Sequence, residues 1–266
     1  MSQTLPSFSA IALSRRGRRL DMTLNRPEAL NAVNTALHDE LPDALAFAAG
    51  DTESDLLVLT GAGRAFSAGG DFDHMERNAR EPHRFDHEAR QAKRIVNALL
   101  DIEKPVVCRM NGHAIGLGAT LALLCDVIFA VEGAKIGDPH VGIGLVAGDG
   151  GAVIWAQRIG LSRAKEYLLT GELLTATQAA EIGLINRCIP AADLDAAIDA
   201  FCGRLLAGAQ LAIRYTKLLT NLELKRLANA VMDAGIAYES LTVRSADHLE
   251  GIAAARAKRT PRFTGR

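Results

Sequence analysis

Apolar positions along this chain change period abruptly, and many of the changes fall beside glycine. Residues 8–13 and 20–24 are short apolar runs that predict two strands around Ser14-Arg15-Arg16-Gly17-Arg18-Arg19, whose four arginines predict a solvated hairpin tip. Asn34 precedes Leu37, Leu41, Leu45 and Ala48 at helical spacing, which predicts a capped helix. Residues 56–60 read as a strand. A polar segment over 71–88 then leads into an amphipathic helix with Ile95, Val96, Leu99 and Leu100 on one face. Residues 105–110 repeat the strand pattern. Residues 116–125 are apolar almost all round and predict a buried helix, and 126–130 predict the next strand. Past Gly151 the period is helical over 152–158, 162–170 and, behind Thr175 as a cap, 177–182. A short strand over 184–189 and a helix over 191–206 precede a strand-free helical stretch, 209–258. The basic end, 258–266, is expected to fray. Strands alternating with helices and a helical tail make this an α/β chain.

Two stretches share one design: Leu56-Leu57-Val58-Leu59-Thr60-Gly61-Ala62-Gly63-Arg64-Ala65-Phe66-Ser67-Ala68-Gly69-Gly70-Asp71 and Pro105-Val106-Val107-Cys108-Arg109-Met110-Asn111-Gly112-His113-Ala114-Ile115-Gly116-Leu117-Gly118. In each, a β-branched or leucine-rich run stops at glycines and gives way to a helical pattern. Glycine leaves backbone N–H groups uncovered, and a helix start adds unpaired donors at the positive end of its dipole. Donors converging from two such loops would hold a substrate oxygen that gains negative charge. Fourteen of the 24 glycines lie between positions 61 and 151, which places function in that third of the chain.

Composition narrows the partners. A 266-residue chain that is 48% hydrophobic and 23% charged is an ordinary globular protein with a sizeable core. Thirty basic against 31 acidic residues leave a net charge of −1, which gives no general case for nucleic acid or an anionic membrane surface. No apolar run approaches the roughly 18 residues of a bilayer span, and residues 1–6 lack a signal-peptide layout, so a cytoplasmic protein is expected. Cys108, Cys125, Cys188 and Cys202 have no ligand or redox spacing and read as reduced core thiols. His83 and His87 are four apart without a third ligand, so no metal is expected and both read as exposed loop residues. Gly61-Ala62-Gly63 follows a strand, but Phe66 stands where the third glycine of a dinucleotide fingerprint belongs. No P-loop and no GxSxG elbow occur.

Four motifs in series resemble the crotonase (enoyl-CoA hydratase/isomerase) superfamily: Asn25-Arg26-Pro27-Glu28-Ala29-Leu30-Asn31-Ala32; Ala65 through Asp71; Lys104-Pro105-Val106 with Asn111 through Gly118; and Leu169-Thr170-Gly171. Their order and spacing match over nearly the whole chain. The resemblance implies a spiral of ββα units over residues 1–206 carrying an acyl-CoA site, and a helical trimerisation region over 207–266. It implies a homotrimer or dimer of trimers, an acyl-CoA thioester as ligand, and no cofactor beyond the coenzyme A of the substrate. It places the two backbone donors for the thioester oxygen on Gly70 and Leu117, and Arg26, Ala29, Ser67, Ala68 and Gly116 against the CoA thioester.

The chain departs from the resemblance at the acid/base positions. Enoyl-CoA hydratases carry two glutamates, and the matching positions here are Thr120 and His140. Threonine does not exchange protons at neutral pH, so Thr120 is a hydrogen-bond partner at most. His140 reads either as a hydrogen-bonded loop residue or as a base, its ordinary pKa of about 6.5 suiting proton transfer near neutrality. Asp149 is either an N-cap for the helix that follows or the second acid/base group. The 4-chlorobenzoyl-CoA dehalogenases resemble this chain in placing an aspartate there, but their helix histidine is Lys93 here. The leading expectation is a hydratase, isomerase or hydrolase-like lyase acting through an enolate. The alternatives are a non-catalytic CoA-thioester-binding homologue and an aromatic acyl-CoA hydrolase or dehalogenase-like enzyme using Asp149.

Overall fold

The computed structural model describes residues 4–266, so residues 1–3 of the start read above lie outside the described residues. A hairpin of β1 (Ile11–Arg16) and β2 (Arg19–Leu24) is followed by α1 (Thr35–Gly50), β3 (Leu56–Gly61), α2 (Phe72–Arg80), α3 (Phe85–Asp101) and β4 (Val106–Met110). Then come β5 (Ala114–Ile115), α4 (Leu117–Leu124), β6 (Val127–Val131), β7 (Lys135–Gly137) and, past a 3-10 turn at His140–Ile143, α5 (Gly151–Thr170). The chain continues through β8 (Leu174–Thr175), α6 (Ala176–Glu181), β9 (Arg187–Ile189), α7 (Leu194–Leu206), α8 (Gln210–Val243) and α9 (Ala246–Arg256).

Six strands form one sheet in the order β1-β2-β3-β4-β6-β9, parallel from β2 onward, and β5, β7 and β8 form a small second sheet. Parallel strands need cover on both faces, which is why β3 is apolar at consecutive positions. Leu57 and Leu59 enter the main core with Leu37, Leu41 and Leu45 of α1, while Leu56 and Val58 face Leu194, Ile198 and Cys202 of α7. Trp155, Phe66 and Phe129 are the largest fully buried side chains.

Several expectations hold at residue level. Asn34 caps α1 by accepting from the Leu37 N–H at 3.0 Å, and Thr175 with Gln178 forms a capping box on α6. The helix after Gly151 breaks at Gly160, whose φ of 77° interrupts it between the two stretches read separately. All four cysteines are free thiols, three of them buried. Among the described residues no single helix is long and apolar enough to cross a membrane.

Others do not hold. Arg15, Arg16 and Arg19 lie in the strands and only Arg18 in the turn, and although Arg16 and Arg18 stay exposed all four are paired: Arg15 with Asp51, Arg16 with Asp21, Arg18 with Asp55, and the buried Arg19 with Asp21 and Asp199. The polar stretch after Asp71 is a helix, capped by the Asp71 carboxylate on the N–H groups of Asp73 and His74. His87 therefore lies on α3, 2.5 Å from Asp39, and His83 in a 3-10 turn, rather than in an open loop. The tail past α9 is held instead of frayed. Glu250 takes the Arg259 guanidinium and the Arg262 N–H, and Asp247 takes the N–H groups of Thr264 and Gly265.

Candidate active site

Asn31 sets the geometry of the first glycine loop. Fully buried at a positive φ of 55°, it accepts from the Arg26 N–H and donates to the carbonyls of Ala62 and Ala65, each at 2.9 Å. Its own carbonyl takes the Ser67 hydroxyl at 2.8 Å. The N–H groups of Ser67, Ala68 and Asp71 donate to His113, Leu30 and Val33, which leaves Gly70 N–H without an acceptor among the described residues. In the second loop, Gly116 donates to Gly137 and adopts φ 54°, ψ −124°, a conformation open to glycine. Leu117 opens α4 as its first residue, and its N–H has no helical partner. A Cβ on Gly69 would come within 2.8 Å of the Ile115 carbonyl, so the two loops touch backbone to backbone. Gly70 and Leu117 line one cleft, with about 680 Å³ of empty space including its mouth.

Across that cleft stands a buried acid/base cluster. His140 Nδ1 is hydrogen-bonded to Asp138, and His140 Nε2 lies 3.6 Å from Asp149 Oδ2. The ring packs against Gly116, where an added Cβ would lie 3.5 Å from its Cε1. Asp149 is not the helix cap: Gly150 holds that position, and Asp149 accepts only long contacts of 3.4 Å from the Thr120 hydroxyl and the Gly151 N–H. Asp138 fixes the imidazole and leaves Nε2 as the nitrogen that can exchange a proton.

The charges around His140 change the reading of its pKa. Burial works to lower it, but the Asp138 and Asp149 carboxylates outweigh burial and push it up to about 10. At neutral pH it is an imidazolium, suited to give a proton more than to take one. Burial raises the Asp149 carboxyl above its ordinary value, with His140 opposing, and a more basic carboxylate is a better proton acceptor. Glu239, on α8, is raised to about 8 by burial and by Asp149. Glu239 and His140, like Asp149, bind their proton more tightly in the folded protein. Their stabilisation is complete below the unfolded values of 4.5 and 6.5 and is lost as pH rises through about 8 and about 10 respectively. The melting temperature is therefore expected to fall as pH is raised from 6.5 to 10, and to fall less in Glu239→Gln. Calorimetry across that range checks it, and an equal decline in both proteins would count against the assignment to Glu239.

The other residues singled out from the sequence fall in two groups. Ala68 and Gly116 line a second groove of about 400 Å³, with Gly70 and His140 on the wall shared with the main cleft. Arg26, Ala29 and Ser67 stabilise the loop from behind: Arg26 bonds the Ala32 carbonyl and Asp71, Ala29 lies in the turn Pro27–Ala29, and Ser67 is fully buried. Lys93 pairs with Asp233 on the surface. Asp138 and Glu239 were missed. Glu239 had a signal, since it shares one helical stripe with Ala228, Met232, Ile236 and Val243, an acid on an otherwise apolar face. Asp138, His140 and Asp149 each offer a ligand atom within 4.8 Å of one another, so a divalent cation would fit by spacing, at the cost of displacing the His140 proton.

Residues 19–266 match the model of the enoyl-CoA hydratase/isomerase family. The chain is similar to the 2,3-dehydroadipyl-CoA hydratase of Escherichia coli strain K12, with 35% identity covering 97% of this chain and 100% of that one. It is also similar to the crotonyl-CoA hydratase of Syntrophomonas wolfei, with 32% identity over 97% of this chain and 98% of the relative. Among solved structures, an enoyl-CoA hydratase/isomerase from Mycobacterium paratuberculosis superposes with a TM-score of 0.88 at 36% identity, covering 92% and 97% of the two chains.

Proposed function

The chain belongs to the enoyl-CoA hydratase/isomerase family and is an enzyme of acyl-CoA thioesters, and from that premise we propose that it works with His140 and Asp149 as its acid/base pair. The observation that carries the reading is that Gly70 and Leu117, whose backbone N–H groups find no acceptor among the described residues, line the cleft that also holds His140 and Asp149. The thioester oxygen sits between the two donors, which stabilise the enolate more than the ground-state carbonyl. The acyl group then occupies the cleft beside Leu117, Ala92, Leu145 and Ile236, and the CoA arm follows the groove along Ala68 and Ile115. Asp149 takes a proton, from the substrate carbon or from an attacking water, and the His140 imidazolium returns one from Nε2 to the enolate. Thr120 holds Asp149 and exchanges no proton.

Acyl-CoA thioesters are expected to raise the melting temperature, because a ligand of the native state alone stabilises it by mass action, while the free acids do far less. Mass spectrometry of the same mixtures reads turnover of the enoyl-CoAs. No stabilisation by several structurally different thioesters would overturn the reading.

The same proposal includes self-association. Leu211, Tyr215, Leu219 and Leu222 form one stripe on α8 and are each between 55% and 70% exposed, an apolar face that another copy would cover. The family resemblance makes the assembly a homotrimer or dimer of trimers. Light scattering that gives a stable monomer at micromolar concentration would overturn it.

A further inference from the structure

The cleft that holds the proposed acyl group also has a polar wall. His38 of α1, His74 and Asn78 of α2 and Glu88 of α3 are all buried and all line it. Glu88 bridges the two histidines, with Oε2 3.1 Å from His38 Nδ1 and Oε1 3.2 Å from His74 Nε2. His74 is fully engaged, since Thr35 Oγ1 lies 3.0 Å from its Nδ1 and Asn78 Nδ2 lies 3.3 Å from its Nε2. His38 is different. It is 6% exposed, yet its Nδ1 has no hydrogen-bond partner among the described residues, the approach to Glu88 being outside bonding geometry. A cleft built for a plain hydrocarbon chain would not carry four polar side chains with one left unsatisfied, because each unpaired buried polar group is costly.

We propose that this wall selects acyl-CoA substrates whose acyl group carries a hydroxyl away from the thioester, bound beside the His38–Glu88 pair. The inference rests on the acyl-CoA reading above. A hydroxyl both gives and accepts, so one group can donate to the Glu88 carboxylate and accept from His38. A methyl end does neither and leaves the wall dry and unpaired. A carboxylate end would face Glu88. His38 does not offset that repulsion, because burial lowers its pKa against the pull of Glu88, while the hydrogen bond from His74 holds the Glu88 carboxyl below its ordinary value despite its burial.

The test uses the full-length protein and calorimetric titration with saturated butanoyl-, hexanoyl- and octanoyl-CoA, each compared with its ω-hydroxy, ω-carboxy and ω-amino counterpart. Saturated chains report binding without hydration. At the chain length that spans the cleft, the ω-hydroxyacyl-CoA is expected to bind about 10- to 100-fold more tightly than the plain chain, as a hydrogen bond to a charged buried group allows. His38→Leu and Glu88→Gln should each bring that ratio towards one while the plain chains still bind, which also shows that the variants are folded. Equal affinity for hydroxylated and plain chains at every length, or a preference for the carboxy or amino ends, would overturn the inference and leave the acyl-CoA reading standing. Binding of no thioester at all would overturn both.

Discussion

Asp149→Asn is expected to fold, to bind acyl-CoA as the unaltered protein does, and to turn it over about 10²–10⁴ times more slowly. Asparagine keeps the shape of the side chain and its long contacts with Thr120 and Gly151. The helix does not depend on it, because Gly150 holds the cap position. What the amide loses is the ability to take a proton, together with one of the charges that raise His140. The variant should therefore also titrate His140 at lower pH, which a nuclear magnetic resonance pH series of the imidazole reads directly. His140→Gln is the companion. If the two residues share one proton path, the double variant loses little more than the worse single one. Turnover near the unaltered rate in Asp149→Asn, with substrate in hand, would return this residue to a structural role.

Asn31→Ala should cost about 3–4 kcal/mol of stability, the largest effect expected from any single change near the site. It removes one accepted and two donated hydrogen bonds and leaves the carbonyls of Ala62 and Ala65 without that partner in a fully buried place. It also puts a β-carbon without a compensating polar group at φ 55°. At roughly 2–4 °C per kcal/mol, the melting temperature falls by about 6–16 °C. Asn31→Gly separates the causes, since glycine relieves the backbone but restores no bond. Ser67 and Ala68 hang from Asn31 and its neighbour Leu30, so the Gly70 N–H should drift and turnover should fall in protein that is still folded. Urea denaturation at fixed protein concentration measures the first effect, and a loss under 1 kcal/mol would show that the loop has other anchors.

The strand–glycine–helix loops could be read from the sequence because their causes are local. A β-branched run, a glycine and a helical period all act within a dozen residues, and so do the caps at Asn34 and Thr175 and the break at Gly160. Helix α2 was hidden because its sequence is polar on most sides; a capping aspartate and contact with α9 hold it where no apolar stripe announces it. The pairing of the hairpin arginines was hidden because the partners of Arg15, Arg18 and Arg19, namely Asp51, Asp55 and Asp199, are distant in the chain. The site divides in the same way. Gly70, Leu117, His140 and Asp149 could be singled out by position in motifs, but not the state of their charges. Asp138 faces His140 from two residues away, whereas Glu239 and Glu88 reach the cleft from helices α8 and α3, far along the chain. Only tertiary packing removes water from all of them together, and the strength of every charge interaction depends on that removal. Hence the sequence singled out Gly70, Leu117, His140 and Asp149, and the folded chain decided that they share one cleft, that buried carboxylates raise the His140 pKa, and that the cleft has a polar wall.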